Sequence, residues 1–175
     1  IPNKQDLIVN LIPLTAARPG FASPYKIFYR NVGTTTISSG EILFKKDSRT
    51  TLVSSSSSIS STNGDTLKWT YSNLAPGDTA SILVNMLVAT PPTVNVGDTL
   101  SYMAIITPVA GDETPANDTA VLKQITVGAI DPNDKTENNG GLITSSFITD
   151  GSYLQYTVRF QNTGTADAIN VIVRD

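Results

Sequence analysis

The sequence predicts an all-β protein, an antiparallel Greek-key sandwich followed by a second, incomplete copy of the same domain. Three observations predict it. Composition is the first: of 175 residues only 15% are charged, and Thr, Ser, Val, Ile, Gly and Asn dominate, the profile of strands joined by tight turns. Periodicity is the second. Short apolar runs alternate in and out, punctuated by Gly, Pro, Asn and Asp at the roughly 8–12-residue spacing of a sandwich, and no segment sustains a capped helical period. The third is an internal repeat. Tyr25-Lys26-Ile27-Phe28-Tyr29-Arg30-Asn31-Val32-Gly33-Thr34 returns as Tyr156-Thr157-Val158-Arg159-Phe160-Gln161-Asn162-Thr163-Gly164-Thr165, and Ile42 falls opposite Val173. Tyr25 to Tyr156 is an offset of 131 residues, far above the roughly 20–50 of solenoid repeats, so whole domains are repeated. The expected domains are 1–128 and 131–175.

The elements follow in order. Asp6 to Pro13 reads as a first strand that Pro13 confines to a sheet edge, and Arg18-Pro19-Gly20 turns the chain. Tyr25 to Arg30 alternates as a half-buried strand, and Asn-x-Gly-Thr stops it, through an Asn that caps its own turn and a Gly free of steric restriction. Glu41 to Lys46 is the next strand, expected to pair with Tyr25–Arg30 as a hairpin around Gly33 to Gly40. Leu52 and Val53 form a short strand. Ser54 to Ser61, seven serines and one isoleucine, reads as a flexible polar loop or weak edge, or a place for O-linked glycans. Leu67, Trp69 and Tyr71 share one strand face. Leu74-Ala75-Pro76-Gly77-Asp78 has Pro and Gly placed for a type II turn, and Thr79 to Ala89 is a long strand with Ala80, Ile82, Val84, Met86 and Val88 on one side. Val96-Gly97-Asp98 leads into a strand bearing Leu100, Tyr102, Ala104 and Ile106. A polar loop at Asp112 to Asp118 precedes the last strand, Thr119 to Val127.

Composition also excludes. Net charge is −3 with twelve scattered Lys and Arg, leaving no basic stripe for nucleic acid. The longest apolar runs, such as Ser81 to Ala89, fall short of the ~20 residues that span a bilayer. With no Cys and no His, disulfides, thiolate metal sites and the commonest general base are all missing. No paired carboxylates sit in an aromatic-lined cleft pattern, so the chain is not expected to be an enzyme. No signal peptide opens the chain, which reads as a mature or excised segment. The second copy holds only two or three strands, too few to be stable alone; either the array continues or a neighbour's strands complete it.

Leu74-x-Pro76-Gly77-Asp78 ahead of an alternating strand, with Tyr-x-x-x-Phe-x-Asn-x-Gly-Thr, resembles the conserved-repeat, immunoglobulin-like domains of bacterial surface proteins. Asp131-Pro132-Asn133-Asp134-Lys135, followed by Tyr153-Leu154-x-Tyr156-Thr157-Val158-Arg159-Phe160-Gln161-Asn162-Thr163-Gly164-Thr165, resembles segments of very large proteins exported by the type IX pathway of Bacteroidetes. The likeness is strongest over 131–175 and looser over 1–128. It implies an immunoglobulin-like sandwich in a secreted or cell-surface protein. The expected role is a spacer and adhesive module, whose partners are neighbouring domains of the same parent and a surface protein or glycan.

Two candidate chemistries remain. Asp131, Asn133 and Asp134 place three oxygen ligands within four residues, similar to the calcium-holding linker of cadherins, with Lys135 departing from that pattern. Asp112, Glu113, Asn117 and Asp118 would complete a calcium shell, since calcium takes six to eight oxygens; the other reading is a turn capped around Pro132. Lys26 is the one candidate nucleophile for a Lys–Asn isopeptide cross-link, against its reading as a snorkelling surface lysine. Trp69, the single tryptophan, is either core or a platform for a sugar. The alternative function is therefore an accessory, carbohydrate-binding module of an exported polysaccharide-degrading enzyme. A weaker alternative is a carrier whose incomplete copy pairs with a partner's edge strand.

Overall fold

The computed structural model describes residues 3–128, 134–137, 147, 149, 151 and 153–173. The chain divides into two compact units, Ile1–Val127 and Gly128–Asp175. The first is a two-layer sandwich. One sheet has the order β1-β2-β7-β4, from β1 (Leu7–Pro13), β2 (Ala22–Asn31), β7 (Thr79–Val88) and β4 (Thr50–Ser55). The other has the order β5-β6-β3-β8-β9, from β5 (Ser61–Asn63), β6 (Thr66–Leu74), β3 (Ile37–Lys45), β8 (Thr99–Thr107) and β9 (Thr119–Ile125). All these pairings are antiparallel. The chain passes from one sheet to the other as a Greek key does, and the fold is an immunoglobulin-like β-sandwich. No helix among the described residues is long and apolar enough to cross a membrane.

Period-2 alternation sets the core. Tyr25, Ile27 and Tyr29 of β2, Ile82, Val84, Met86 and Val88 of β7, Leu67 and Trp69 of β6, and Leu100, Tyr102, Ala104 and Ile106 of β8 are all buried. A one-residue slip in any of these strands would turn its apolar set to water, so the pattern fixes register as well as face. Aromatic pairs lock the layers. Tyr25 and Tyr102 approach to 4.6 Å between ring centroids, Tyr29 and Tyr71 to 5.6 Å, and Phe44 stacks on Tyr102 at 5.8 Å. The Tyr25 hydroxyl is shared between Tyr102 Oη at 3.0 Å and Gln124 Oε1 at 2.8 Å, which satisfies its polar end inside the core.

One sequence expectation needs correction and another is narrowed. Tyr25–Arg30 and Glu41–Lys46 do not form a hairpin: β2 lies between β1 and β7, and β3 between β6 and β8. Each carries a complete apolar face, and these faces are satisfied by packing across the sandwich rather than side by side. The Asn31 N–H donates to Asp78 O, and Gly77 N–H to Asn31 O, which ties the end of β2 to the β6–β7 turn while the chain crosses to the other layer. Of the two readings of Ser54–Ser61, loop or weak edge, the edge reading fits its ends, since β4 and β5 are each outermost in their sheets. The run ends β4 and leads into β5; Ser56 exchanges hydrogen bonds with Leu83 across the ladder. Ser55 Oγ and Ser57 O both accept from Trp69 Nε1 at 3.2 Å. Serines are small enough to bring backbone and hydroxyl acceptors to a buried indole.

Two of the Gly-Asp turns share one device. Gly77 and Gly97 have φ of +86° and +92°, as the third position of a type II turn requires. Asp78 N–H donates to Ala75 O and Asp98 N–H to Asn95 O. In each the aspartate carboxylate accepts the N–H of the first turn residue, Ala75 at 3.0 Å and Asn95 at 2.9 Å. Asp78→Ala is expected to cost about 1 kcal/mol, seen as a lower urea midpoint with an unchanged slope; an unchanged midpoint would mean that water replaces the carboxylate fully.

In the second unit, β10 (Asp134–Glu137) pairs antiparallel with β11 (Tyr156–Arg159). Tyr156 and Phe160, at the repeat positions of the buried Tyr25 and Tyr29, are 50% and 57% exposed, and Lys135 Nζ lies 4.1 Å from the Tyr156 ring centroid. The positions equivalent to β1, 138–144, fall outside the described residues.

Candidate functional site

Polar and acidic side chains concentrate at one end of the first sandwich. Three short segments meet there. Residues 4–6 run ahead of β1, the Asn31-to-Thr35 turn closes over them, and the loop from Val109 lies on their other side. Lys4 O accepts from the N–H groups of Thr34 and Thr35, and Asp6 O from those of Val32 and Gly33. On the opposite flank Gln5 and Asp112 form a parallel bridge, and Glu113 N–H donates to Gln5 O at 2.8 Å. The chain then makes a single 3₁₀ turn, Pro115–Asp118, before β9. Asp118 ends that turn and points inward.

The repeated turn is structural. Asn31 is fully buried; its Nδ2 donates to Thr35 O at 2.8 Å and Leu74 O at 2.9 Å, and its Oδ1 accepts from Gly33 N–H at 3.0 Å. Asn162 repeats the device, donating to Ala166 O at 2.7 Å and accepting from Gly164 N–H at 2.9 Å. Gly33 is required there by close approach. A Cβ would sit 2.5 Å from Lys4 O and 2.7 Å from Asp6 N.

The acidic residues differ sharply in circumstance. Asp112 is 9% exposed. It accepts from Leu7 N–H at 2.7 Å through one oxygen and from Thr114 N–H at 2.8 Å through the other, so both its oxygens are engaged. Glu113 is a surface residue paired with Lys4 at 2.5 Å. Asp6 makes only long contacts, 3.5 Å from Thr114 Oγ1 and 3.4 Å from Asn117 Nδ2. Asp118 is 0% exposed, and neither of its oxygens has a hydrogen-bond partner; Asn117 Oδ1 is likewise buried and unpartnered. Burial first, then the nearby charges of Asp112 and Asp6, push the Asp118 carboxyl up to about 7. Burial, with the charges of Tyr29, Asp118 and Asp112 behind it, also pushes the Tyr71 hydroxyl far up.

Of the residues that the sequence singled out, Asp112, Glu113, Asn117 and Asp118 therefore come together in one loop, with Asp118 the buried member. Asp131 and Asn133 lie outside the described residues, and Asp134 opens β10 opposite Arg159. Among the described residues no three His, Cys, Asp or Glu side chains come together closely enough to hold a metal. Sequence reasoning missed Asp6, whose polar side chain before a strand carries no signal until the fold sets it beside a loop over 100 residues away. Lys26 faces outward on β2, between two strands rather than at a sheet edge. Trp69 is 1% exposed and is core.

Residues 131–175 match the family model described as a domain of unknown function, DUF7619. Among solved structures, the chain is similar to the CARDB domain of the PF1109 protein from Pyrococcus furiosus, determined in complex with di-metal ions. The identity is 15% and the TM-score 0.52, covering 72% of this chain and 96% of that one. It is also similar to the third cohesin of ScaC from Acetivibrio cellulolyticus, determined in complex with the ScaB dockerin. There the identity is 14% and the TM-score 0.51, covering 69% of this chain and 99% of that one. At such identities the likeness is one of fold. No curated protein matches the chain.

Proposed function

We propose that the chain is a non-catalytic structural and adhesive module, a spacer within a large secreted or cell-surface bacterial protein of tandem immunoglobulin-like domains. The burial of Trp69 carries this reading. A carbohydrate-binding module needs an exposed aromatic face for the sugar ring, and the single tryptophan instead fills the core with its indole N–H satisfied by Ser55 and Ser57. Repetition of the Asn-x-Gly turn with the same hydrogen bonds in both units supports a serial array. β1 and β9, near the two ends of the first unit, belong to different sheets, so tension between them loads the packed layer interface. A cohesin of this fold is found bound to a dockerin, which supports reading the sandwich as a platform for protein contacts. Export by the type IX pathway of Bacteroidetes rests on the resemblance over 131–175.

The test is mechanical and spectroscopic together. Held between handle proteins and stretched, the chain is expected to show one discrete unfolding event for the first unit, releasing about 3.5 Å of contour per residue. A panel of soluble polysaccharides is expected to leave Trp69 emission unchanged. A saturable change in that emission, or first-unit extension without a discrete event, would overturn the spacer reading.

A further inference from the structure

We propose that Asp6, Asn117 and Asp118 form a binding site for a hard divalent cation of the calcium class at the end of the first sandwich, with Asp112 as a fixed negative charge behind it. The argument begins with Asp118. A carboxylate that is fully enclosed and accepts no hydrogen bond is costly to keep ionised, and this one has Asp112 and Asp6 close enough to raise the cost further. Among the described residues no cation offsets it. The 3₁₀ turn packs on β1, β8 and β9: β1 has no charged residue, β8 offers only Tyr102, and β9 only Lys123, which is exposed near its far end. From β6, Tyr71 adds a neutral hydroxyl. Lys4 is held on the surface by Glu113.

The free oxygens suit an oxygen-seeking ion. Both Asp118 oxygens and Asn117 Oδ1 are unpartnered, and Asp6 spends its carboxylate on contacts of 3.4 and 3.5 Å that a better partner would displace. Asn117 Nδ2 faces Asp6 Oδ1; half a turn of the carboxamide would present Oδ1 in its place. Two carboxylates, one carboxamide, backbone carbonyls and water make the mixed, flexible shell calcium accepts and magnesium resists. Asp112 cannot join that shell while it caps Leu7 and Thr114. That is why no three acidic side chains converge here, and why the site is two acids and an amide.

The experiment is thermal unfolding of the whole chain after chelation, at about pH 8 and about pH 5.5. With an affinity on the order of 10⁻⁴ M, as in extracellular calcium modules, about 2 mM calcium is expected to raise Tm by about 5 °C at the higher pH. The rise should be smaller at the lower pH, where a proton competes for Asp118, and smaller with magnesium. Asp118→Asn should abolish the response, Asp6→Asn should weaken it several-fold, and Glu113→Gln should leave it intact. If Asp118→Asn does not fold, Asp6→Asn decides. A Tm that falls from pH 5.5 to pH 8 in chelator and is not restored by calcium would overturn the proposal, because Asp118 then simply carries a proton. A calcium response that survives both substitutions would overturn it too, placing the ion elsewhere.

Discussion

Gly40→Ala is expected to destabilise the first unit by about 3 kcal/mol or more, enough to lower its Tm by over ten degrees at about 4 °C per kcal/mol. Gly40 sits in β3 opposite Tyr71. A Cβ there would lie 2.1 Å from Thr107 O and 2.3 Å from the Cζ and Oη atoms of Tyr71. The missing side chain lets the Tyr71 ring cross the strand so that its hydroxyl can donate to Thr107 O, and neither the ring nor the carbonyl can retreat without breaking a ladder or the contact with Tyr29. Gly77→Ala is the control. Its cost comes from backbone alone, since φ is +86° and nothing lies within 4 Å of the added methyl, and it should be about 1–2 kcal/mol. Urea unfolding followed by Trp69 emission reports the first unit in both variants; equal losses would show that Tyr71 swings aside freely.

Asn31→Ala is expected to cost about 3 kcal/mol, whereas Asn162→Ala should cost about 1 kcal/mol or less. The two asparagines make the same turn, but their surroundings differ. Removing the Asn31 carboxamide strips its donors from the carbonyls of Thr35 and Leu74 and leaves the Gly33 N–H with Asp6 O alone, in a place where Asn31 itself is fully buried. An unsatisfied group costs most where water cannot reach it. Around Asn162 the turn is exposed, and water takes up the freed carbonyl of Ala166. Unfolding of the whole chain followed by calorimetry should therefore shift strongly for Asn31→Ala and little for Asn162→Ala. A shift of similar size in both would mean that the second turn is as enclosed as the first.

Acid dependence has a defined sign. Asp118 titrates near 7 in the folded chain against an ordinary 3.8, so the folded state binds its proton more tightly. Stability from this group is greatest below about pH 4, declines as pH rises towards 7 and is level above that. A bound divalent ion would reverse the loss at the upper end.

Local pattern made much of this legible. Strand faces could be read from alternation because a pleated strand exposes every second residue to the same side, and the residues named for β6, β7 and β8 fill the core, with Tyr71 and Ala80 partly buried against it. Turn chemistry was equally local: Pro76-Gly77-Asp78 and Asn31-x-Gly33 carry their hydrogen-bond partners within a few positions, so their conformations are written in the residues themselves.

Pairing was not local. Whether the strand after Asn31-x-Gly33 returns beside β2 or crosses to the facing sheet depends on which apolar face finds a better partner, and alternation is the same in either case. The serine run read equally as a loop or a weak edge, because its role is to accept from an indole that only β6 brings to it. Asp118 stood out only as one of four oxygen-bearing residues in a polar loop, and its burial beside Asp6 and Asp112 exists only once residues 4–6 and the 112–118 loop lie side by side. By itself the sequence determined the strand faces and the turns, since each depends on neighbours along the chain. Only the tertiary structure decided strand order, the burial of Trp69 and the acidic cluster, since each depends on which distant segments exclude water together.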